Sequence, residues 1–209
     1  EGCITFTPDG KTMIFGKGNN GKRKGASDVD LYLSRFRNGQ WSEPTPININ
    51  QPDAWESTPA FSPDGRTLYF SSNRKGGFGG LDIYTAQMDG RGRFGKVKNL
   101  GPEINTAGEE LFPYVSESGK MYFSSDGHPG YGMLDIFEVK RANGKNVVEN
   151  LGQPVNSPAD DFGIYLFKAD RGFFTSNRDG GMGDDDIYTF INEDPELRVV
   201  NYFLQGITY

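Results

Sequence analysis

The fold is decided by residues 62–84, whose sequence is SPDGRTLYFSSNRKGGFGGLDIY. A Pro-Asp-Gly turn leads into a segment rich in β-forming residues at 67–71, and a glycine loop at 75–80 leads into a second such segment at 82–86. Apolar residues in these segments alternate or stand in short runs, and they do not follow helical spacing over a long window. The stretch therefore predicts two strands that are joined by a glycine-rich loop.

The same pattern returns at a regular interval along the chain. Residues 121–126 read MYFSSD, residues 172–178 read GFFTSNR, and residues 13–16 give a weaker copy, MIFG. The aromatic anchors of the four copies step by 55, 53 and 51 residues, at Phe15, Phe70, Phe123 and Phe174. An aspartate that follows each anchor steps by 52, 53 and 51 residues, at Asp30, Asp82, Asp135 and Asp186. A period of this length with four short strands is typical of β-propeller blades.

We predict an all-β fold, a β-propeller with four recognisable four-stranded blades, which we expect to be part of a five- or six-bladed ring. The predicted blades cover about residues 1–55, 56–109, 110–160 and 161–192, and residues 193–209 are either a linker or the first strand of a following β-domain. Pro59 and Pro113 fall inside the first strand of their blades. Because proline is tolerated only at a sheet edge, the first strand is predicted to be the innermost one.

The composition excludes several classes of protein. The 209 residues carry 22 Lys+Arg against 28 Asp+Glu, a net charge of −6, so a strongly basic nucleic-acid surface is absent. Cys3 is the single cysteine, which excludes an intramolecular disulfide framework and a cysteine-based zinc site. No run of about 18 apolar residues could span a bilayer as a helix. We therefore expect a folded, core-forming domain that binds no nucleic acid.

The motifs together resemble those of a known family. Residues 62–84, NLGPEIN at 99–105, SSDGHPG at 124–130 and GDDDIY at 183–188 are similar to the WD-repeat-like β-propeller of bacterial OmpA-family outer-membrane lipoproteins, which include a PorE-like component of type IX secretion. The resemblance covers roughly residues 1–192. It implies a non-catalytic, protein-binding scaffold in a secretion or cell-envelope complex, associated with the outer membrane on its periplasmic side.

The resemblance also implies a protein partner from the bacterial envelope and no cofactor. Peptidoglycan would be bound only through a domain that is absent from this chain. One alternative is a glycan- or peptide-binding module that uses the mouth of the propeller channel. Another alternative is the propeller of a peptidase or a glycosidase.

The residues themselves predict no enzyme. His128 is the single histidine, and no G-x-S-x-G elbow accompanies it. The sequence GFGG at 77–80 is reminiscent of a phosphate-binding loop, but a strand follows it, whereas such a loop needs a helix N-terminus. We interpret these glycines as residues that allow a tight loop.

The repeated aspartate, present as Asp30, Asp82, Asp135 and Asp186, has two interpretations. One is a cation site, for which residues 184–186 are the strongest candidate. The other is a carboxylate that accepts hydrogen bonds from its own loop. Because the residue recurs in every blade, we predict a structural role and no metal.

A second acidic residue recurs once in each blade, at the start of the innermost strand, as Glu1, Glu56, Glu110 and Asp161. Each carboxylate either caps its own turn or pairs with an arginine such as Arg74 or Arg178, or the four form an acidic ring at the channel mouth. Large apolar residues lie between the loop glycines of three blades, at Phe78, Tyr131 and Met182. They are either anchors for a partner or staples on the adjacent blade, and with the acids they form our candidate partner-binding face.

Overall fold

The computed structural model describes residues 2–18 and 29–193, which form sixteen strands in four sheets. Blade 1 contains β1 (Gly2–Phe6), β2 (Thr12–Gly18), β3 (Val29–Arg37), β4 (Gln40–Trp41) and β5 (Thr45–Pro46). Blade 2 contains β6 (Glu56–Phe61), β7 (Thr67–Ser72), β8 (Asp82–Gln87) and β9 (Lys98–Asn99). Blade 3 contains β10 (Glu110–Val115), β11 (Met121–Ser125), β12 (Asp135–Ala142) and β13 (Lys145–Asn150). Blade 4 contains β14 (Asp161–Lys168), β15 (Arg171–Ser176) and β16 (Asp186–Ile191).

The described residues form strands only, in four blades, so the predicted all-β fold with four blades is confirmed. They contain no helix that could cross a membrane. All strand pairings are antiparallel and follow the chain order, as in β6-β7-β8-β9 of blade 2, except that β4 and β5 both pair with β3. The linker or following strand that the sequence predicts at 193–209 lies outside the described residues apart from Glu193.

The first strand of each blade contains a bulge at the same position. The backbone φ is positive there, at 30°, 44°, 51° and 66°, in Cys3, Thr58, Phe112 and Gly163. The register of the first strand with the second shifts at each of these points. In blades 2 and 3 the residue that follows the bulge is a proline, Pro59 or Pro113, as expected for an edge strand whose ladder is already interrupted.

The core consists of three apolar clusters, and each lies between two consecutive blades. Ile14 and Leu31 of blade 1 pack with Phe70 and Tyr84 of blade 2 in the first cluster. Ile83 of blade 2 packs with the third blade in the second cluster, and the third cluster joins blades 3 and 4. Stability therefore comes from the burial of apolar area between successive sheets.

The described blades form an open arc. The first strands contact one another in the order β1, β6, β10 and β14, and no described strand of blade 4 contacts one of blade 1. The two outer faces of the arc are exposed as a result. Ile187 of blade 4 is 77% exposed, whereas its counterparts Leu31, Ile83 and Ile136 are 0% exposed.

Candidate interaction face

The loop between the second and third strands is held by the repeated aspartate. In blade 2, Asp82 accepts hydrogen bonds from the backbone N–H groups of Phe78, at 2.7 Å, and Gly79, at 3.1 Å. The side-chain amide of Asn99 donates a further bond of 2.7 Å to the same carboxylate. The carboxylate is almost completely buried, so the loop has one defined shape.

The loops of blades 3 and 4 are built in the same way. Asp135 accepts from the N–H of Tyr131 at 2.5 Å, and Asp186 accepts from the N–H of Met182 at 2.7 Å. Burial raises the pKa of the Asp135 carboxyl, and the charge of Asp161 acts in the same direction. Asp30 is also buried, but the loop it follows, at 19–28, lies outside the described residues.

Glycines make room for these carboxylates. A Cβ added to Gly77 would lie 2.5 Å from Oδ2 of Asp82, and one added to Gly130 or Gly181 would overlap the carboxylate of its own loop. The loops therefore enclose a protein carboxylate rather than a phosphate. Among the described residues, no group of three or more His, Cys, Asp or Glu side chains is arranged to hold a metal ion, and this includes 184–186.

The residues at the loop tips are exposed to solvent. Phe78 is 48% exposed, Tyr131 is 52% exposed and Met182 is 99% exposed. The loop of blade 2 contacts the next blade through its backbone, since the N–H of Gly80 donates to the carbonyl of Gly108 at 2.8 Å. The backbone of this loop therefore joins the adjacent blade, while the side chain at its tip is about half exposed.

The acidic residues do not form an open ring. Glu56, Glu110 and Asp161 are each 0% exposed, and Glu1 lies outside the described residues. The carboxylates of Glu56, Glu110 and Asp161 accept hydrogen bonds within the protein, so these three cannot receive a basic group from a partner. The prediction that these acids belong to the partner-binding face is therefore wrong. Their contacts match the other interpretation, in which each carboxylate is paired within the protein.

Each buried acid has a similar set of partners. Glu56 accepts from Arg74 Nη2 at 3.0 Å, from Ser72 Oγ at 3.0 Å and from the N–H of Gln51 at 3.1 Å. Burial raises the pKa of the Glu56 carboxyl, and these donors oppose the rise. The acid therefore ties the start of the innermost strand to the loop that precedes it.

Asp161 repeats the arrangement with Arg178 Nη2 at 2.5 Å and the N–H of Ser157 at 2.5 Å. Glu110 instead accepts from the N–H and hydroxyl of Thr106, at 2.8 and 2.6 Å, and from Ser125 Oγ, at 2.8 Å. The acid site is thus preserved across three blades although its partners differ.

One asparagine completes each of the three junctions between blades, and the sequence analysis missed all three. Asn105 accepts from the N–H of Ile83 at 2.8 Å and donates to its carbonyl at 3.0 Å, so the side chain extends the sheet of blade 2 as a strand residue would. Asn156 makes the same pair of bonds with Ile136, at 2.8 and 2.8 Å. Asn50 makes the equivalent pair of bonds with Leu31. The asparagines follow Ile49, Ile104 and Val155, so a branched apolar residue and an asparagine shortly before each acid could have identified them.

His128, the candidate for catalysis that the sequence raised and rejected, takes part in packing. Its Nε2 lies 2.7 Å from the carbonyl oxygen of Ile104, and its ring contacts the rings of Phe123 and Phe137. In the part of the chain that the structure describes, neither a serine hydroxyl nor a carboxylate is hydrogen-bonded to the imidazole. The geometry is that of a structural histidine.

Comparisons with solved structures show where this arrangement of blades occurs. TolB from Acinetobacter baumannii is similar, with a TM-score of 0.57 and 19% identity, over 91% of this chain and 41% of that chain. A putative TolB from Agrobacterium tumefaciens gives a TM-score of 0.59 and 18% identity, over 90% of this chain and 64% of that one. A puromycin-hydrolyzing peptidase from Mycobacterium tuberculosis gives a TM-score of 0.57 and 13% identity, over 99% of this chain and 30% of that one.

These similarities establish the β-propeller fold. The chain spans less than two thirds of the length of each of these proteins. No protein-family model matches the chain, and no curated protein does. The fold is shared by TolB proteins and by peptidases, and it does not by itself distinguish a binding scaffold from part of an enzyme.

Proposed function

We propose that this chain is a non-catalytic scaffold that binds a protein partner through the loop tips of blades 2 to 4. The observation that carries the proposal is the exposure of Phe78 and Tyr131 on loops whose backbones are fixed by buried carboxylates. Aromatic side chains that are presented rigidly lose little entropy on binding, and they are enriched among the residues that dominate binding energy.

The proposal places the protein in the bacterial envelope, on the periplasmic side of the outer membrane, as part of a secretion or cell-envelope complex. The resemblance of its motifs to OmpA-family lipoprotein propellers supports this location, and the similarity of fold to TolB is consistent with it. The absence of an enzymatic role is also part of the proposal. It is supported by the structural role of His128, whose ring nitrogen is bonded to a backbone carbonyl.

A site-specific photocrosslinker tests the proposed face. The crosslinker replaces Phe78 in one preparation. In the matched control it replaces Phe36, an exposed residue near the end of β3 in blade 1, at the opposite end of that strand from the loop between the second and third strands. Both are irradiated with an envelope fraction, and a protein that is captured through position 78 but not through position 36 is purified. Equal capture at the two positions would contradict the proposal.

Calorimetry with the purified partner then measures the contribution of the tips. We expect Phe78→Ala combined with Tyr131→Ala to weaken binding by about 1–4 kcal/mol while the melting temperature stays the same. Phe36→Ala should leave the affinity unchanged. Normal binding by the double variant would show that this face is not the one used.

A further inference from the structure

Blades 1 and 2 are rich in basic side chains at the end that lies opposite the loop tips. In blade 1 the turn after β1 and the hairpin after β3 lie at this end, because Thr12 pairs with Arg35. In blade 2 the N–H of Met88 donates to the carbonyl of Arg66 at 2.8 Å, so residues 62–66 and 88–94 share the corresponding end. We call the six basic residues of these turns the basic end. They are Lys11, Arg35, Arg37, Arg66, Arg91 and Arg93.

The hairpin at 88–94 presents two exposed arginines on a fixed backbone. The carboxylate of Asp89 accepts from the N–H groups of Arg91, at 2.8 Å, and Arg93, at 2.9 Å. Phe94, at the end of the hairpin, is 5% exposed, and the side-chain amide of Asn48 binds both its N–H, at 2.9 Å, and its carbonyl, at 2.8 Å. The backbone therefore defines where Arg91 and Arg93 reach the solvent.

Arg35 joins the basic residues of blade 1 to this hairpin. Its Nη2 donates to the carbonyl of Arg91 at 2.5 Å. Gly92, with a φ of 75°, leaves room for the contact, because an added Cβ would overlap Nη2 of Arg35. The basic end is therefore one surface that crosses an internal junction, and blade 2 has a described blade on either side.

Two hollows, both open to solvent, border the hairpin. One has a volume of about 640 Å³, and Lys11, Arg35 and Arg37 are among the residues that line it. The other has a volume of about 550 Å³ and is lined in part by Arg91 and Arg93. Since neither hollow is enclosed, the basic groups are spread over a surface and do not surround a single site.

The basic groups of this surface are not used in ion pairs. Within residues 2–18 and 29–193, none of the six forms a salt bridge. At the same end of blades 3 and 4, three cations are paired with acids at 3.2, 2.6 and 2.6 Å, in the pairs Lys120–Glu138, Lys140–Glu149 and Arg171–Asp170. The cations of blades 1 and 2 are therefore the ones that can bind an external anion.

Charge is distributed unevenly between the two ends of the molecule. Asp9, Asp64 and Asp89 lie among the basic residues, and each accepts from an N–H of its own turn. With these acids the basic end has a net charge of +3, whereas the whole chain has −6, so the other residues carry −9. At the end with the loop tips, the described residues expose Lys75 and six acids. The acids are Asp53, Glu109, Asp126, Asp179, Asp184 and Asp185.

We propose that the basic end binds the phosphate groups of anionic lipids at a membrane surface. A guanidinium group binds phosphate through two parallel hydrogen bonds, and basic residues close to an anionic bilayer attach a protein to it. Lipids move laterally, so their phosphates can pair with cations that are spread over two open hollows. A folded acidic protein or a single phosphate would need a site of fixed shape.

The rest of the charge orients the molecule on this surface. Because an anionic bilayer repels the acidic end, the loop tips point away from the membrane. They are then placed where a protein partner can reach them. Lipid binding adds to the proposed function and does not depend on it.

Flotation with lipid vesicles tests the proposal. The chain should float with vesicles of phosphatidylglycerol and phosphatidylcholine but not with phosphatidylcholine alone, and added salt should release it. Arg91→Gln with Arg93→Gln should lower the partition coefficient about tenfold or more, since each basic residue near an anionic surface contributes about fivefold. Lys75→Gln with Lys98→Gln, which removes two exposed cations elsewhere, is the matched control and should bind as the parent does. Circular dichroism should show one melting temperature for all three proteins.

A fluorescent probe on a single cysteine tests the orientation. The probe is attached through Gly90→Cys in one preparation and through Phe78→Cys in another, each combined with Cys3→Ser. A Cβ at Gly90 would meet no atom within 4 Å, so the hairpin accepts the label. A lipid-bound quencher should quench the probe at position 90 and not the probe at position 78. Equal quenching at the two positions would overturn the proposal.

Other results would point to a different ligand. A parent chain that does not float with anionic vesicles, or an arginine double variant that floats like the control, would overturn the proposal. Release by inorganic phosphate, but not by chloride at the same ionic strength, would indicate a site for one phosphate instead. Binding to immobilised polyglutamate without flotation would indicate an acidic protein. These assays contain no protein partner, so their failure would not bear on the proposed role of the loop tips.

Discussion

His128 occupies in blade 3 the position that Arg74 occupies in blade 2. The guanidinium carbon of Arg74 lies 5.0 and 5.1 Å from the ring centroids of Phe70 and Tyr84. The imidazole centroid of His128 lies 5.6 Å from that of Phe123 and 5.2 Å from that of the stacked Phe137. Each side chain therefore covers the pair of stacked rings of its own blade, Phe70 with Tyr84 or Phe123 with Phe137.

The two side chains also form hydrogen bonds with equivalent backbone carbonyls. Arg74 Nη2 donates to the carbonyl of Ile49 at 3.2 Å, and His128 Nε2 contacts the carbonyl of Ile104 at 2.7 Å. Because a carbonyl only accepts, the contact places the imidazole proton on Nε2. The histidine thus replaces the packing and the hydrogen bond of the arginine, but not its ion pair with the acid.

His128→Ala should reduce the free energy of unfolding by about 1–3 kcal/mol, because the carbonyl of Ile104 loses its donor and the ring pair loses its cover. His128→Arg should reduce it less, since an arginine fills this position in blades 2 and 4. Urea denaturation of the two variants and the parent measures both values. Equal stability of His128→Ala and the parent would disprove the role assigned to the ring.

Arg74→Met should cost about 3–5 kcal/mol at neutral pH, because it leaves the buried carboxylate of Glu56 without its cation. Adding Glu56→Gln should restore part of the loss, since the remaining amide is neutral. Denaturation at pH 7 of the single and double variants provides the comparison. A double variant that is no more stable than Arg74→Met would show that the ion pair is not the cause.

The loss in Arg74→Met should depend on pH. Burial holds the folded-state pKa of Glu56 above its ordinary value, so the stabilising contribution of this group is full below the unfolded pKa of about 4.3 and is lost as pH rises through the folded pKa. Removal of Arg74 raises the folded pKa further. The stability difference between the variant and the parent should therefore shrink between pH 7 and about pH 4. A constant difference over this range would contradict the assignment.

Asp82→Ala should cost about 1–3 kcal/mol, because the N–H groups of Phe78 and Gly79 and the amide of Asn99 lose their acceptor. Asp184→Ala is the matched control, since this exposed aspartate lies in the equivalent loop of blade 4. Thermal melting followed by circular dichroism should separate the two variants clearly. A melting temperature of Asp82→Ala equal to that of the control would show that the carboxylate does not hold its loop.

The sequence predicts the blades well because their strands follow one period. The anchor Phe70 and the aspartate Asp82 recur in every blade, and each lies at an equivalent position in its sheet. The bulge at Thr58 was not predicted, since a positive φ in a β-branched residue has no sequence signal. Turn residues and the spacing of the repeat are visible in the sequence, so the strands and the blades could be predicted from them.

The candidate face could be predicted only in part. The exposure of Phe78 follows from its place between two glycines at a loop tip. The sequence offered Arg74 as a partner of Glu56, but it could not choose between this pair and an acidic ring, because the two residues are eighteen positions apart. His128 was missed as the counterpart of an arginine because it is one residue further from the preceding serine than Arg74 is. A hydrogen-bond partner that lies on another loop, or whose position in the repeat is shifted by one residue, can be identified only from the three-dimensional structure.

The asparagines that bind the backbone of the preceding blade have a consequence for how such a chain can change in evolution. Asn105 binds the backbone of Ile83, and the N–H of the next residue, Thr106, binds Glu110, so the polar contacts of this junction come from a short stretch of chain. A duplicated stretch of about one period would carry a complete set of these contacts with it. Blades can therefore be gained or lost singly, without compensating substitutions in the blades that remain.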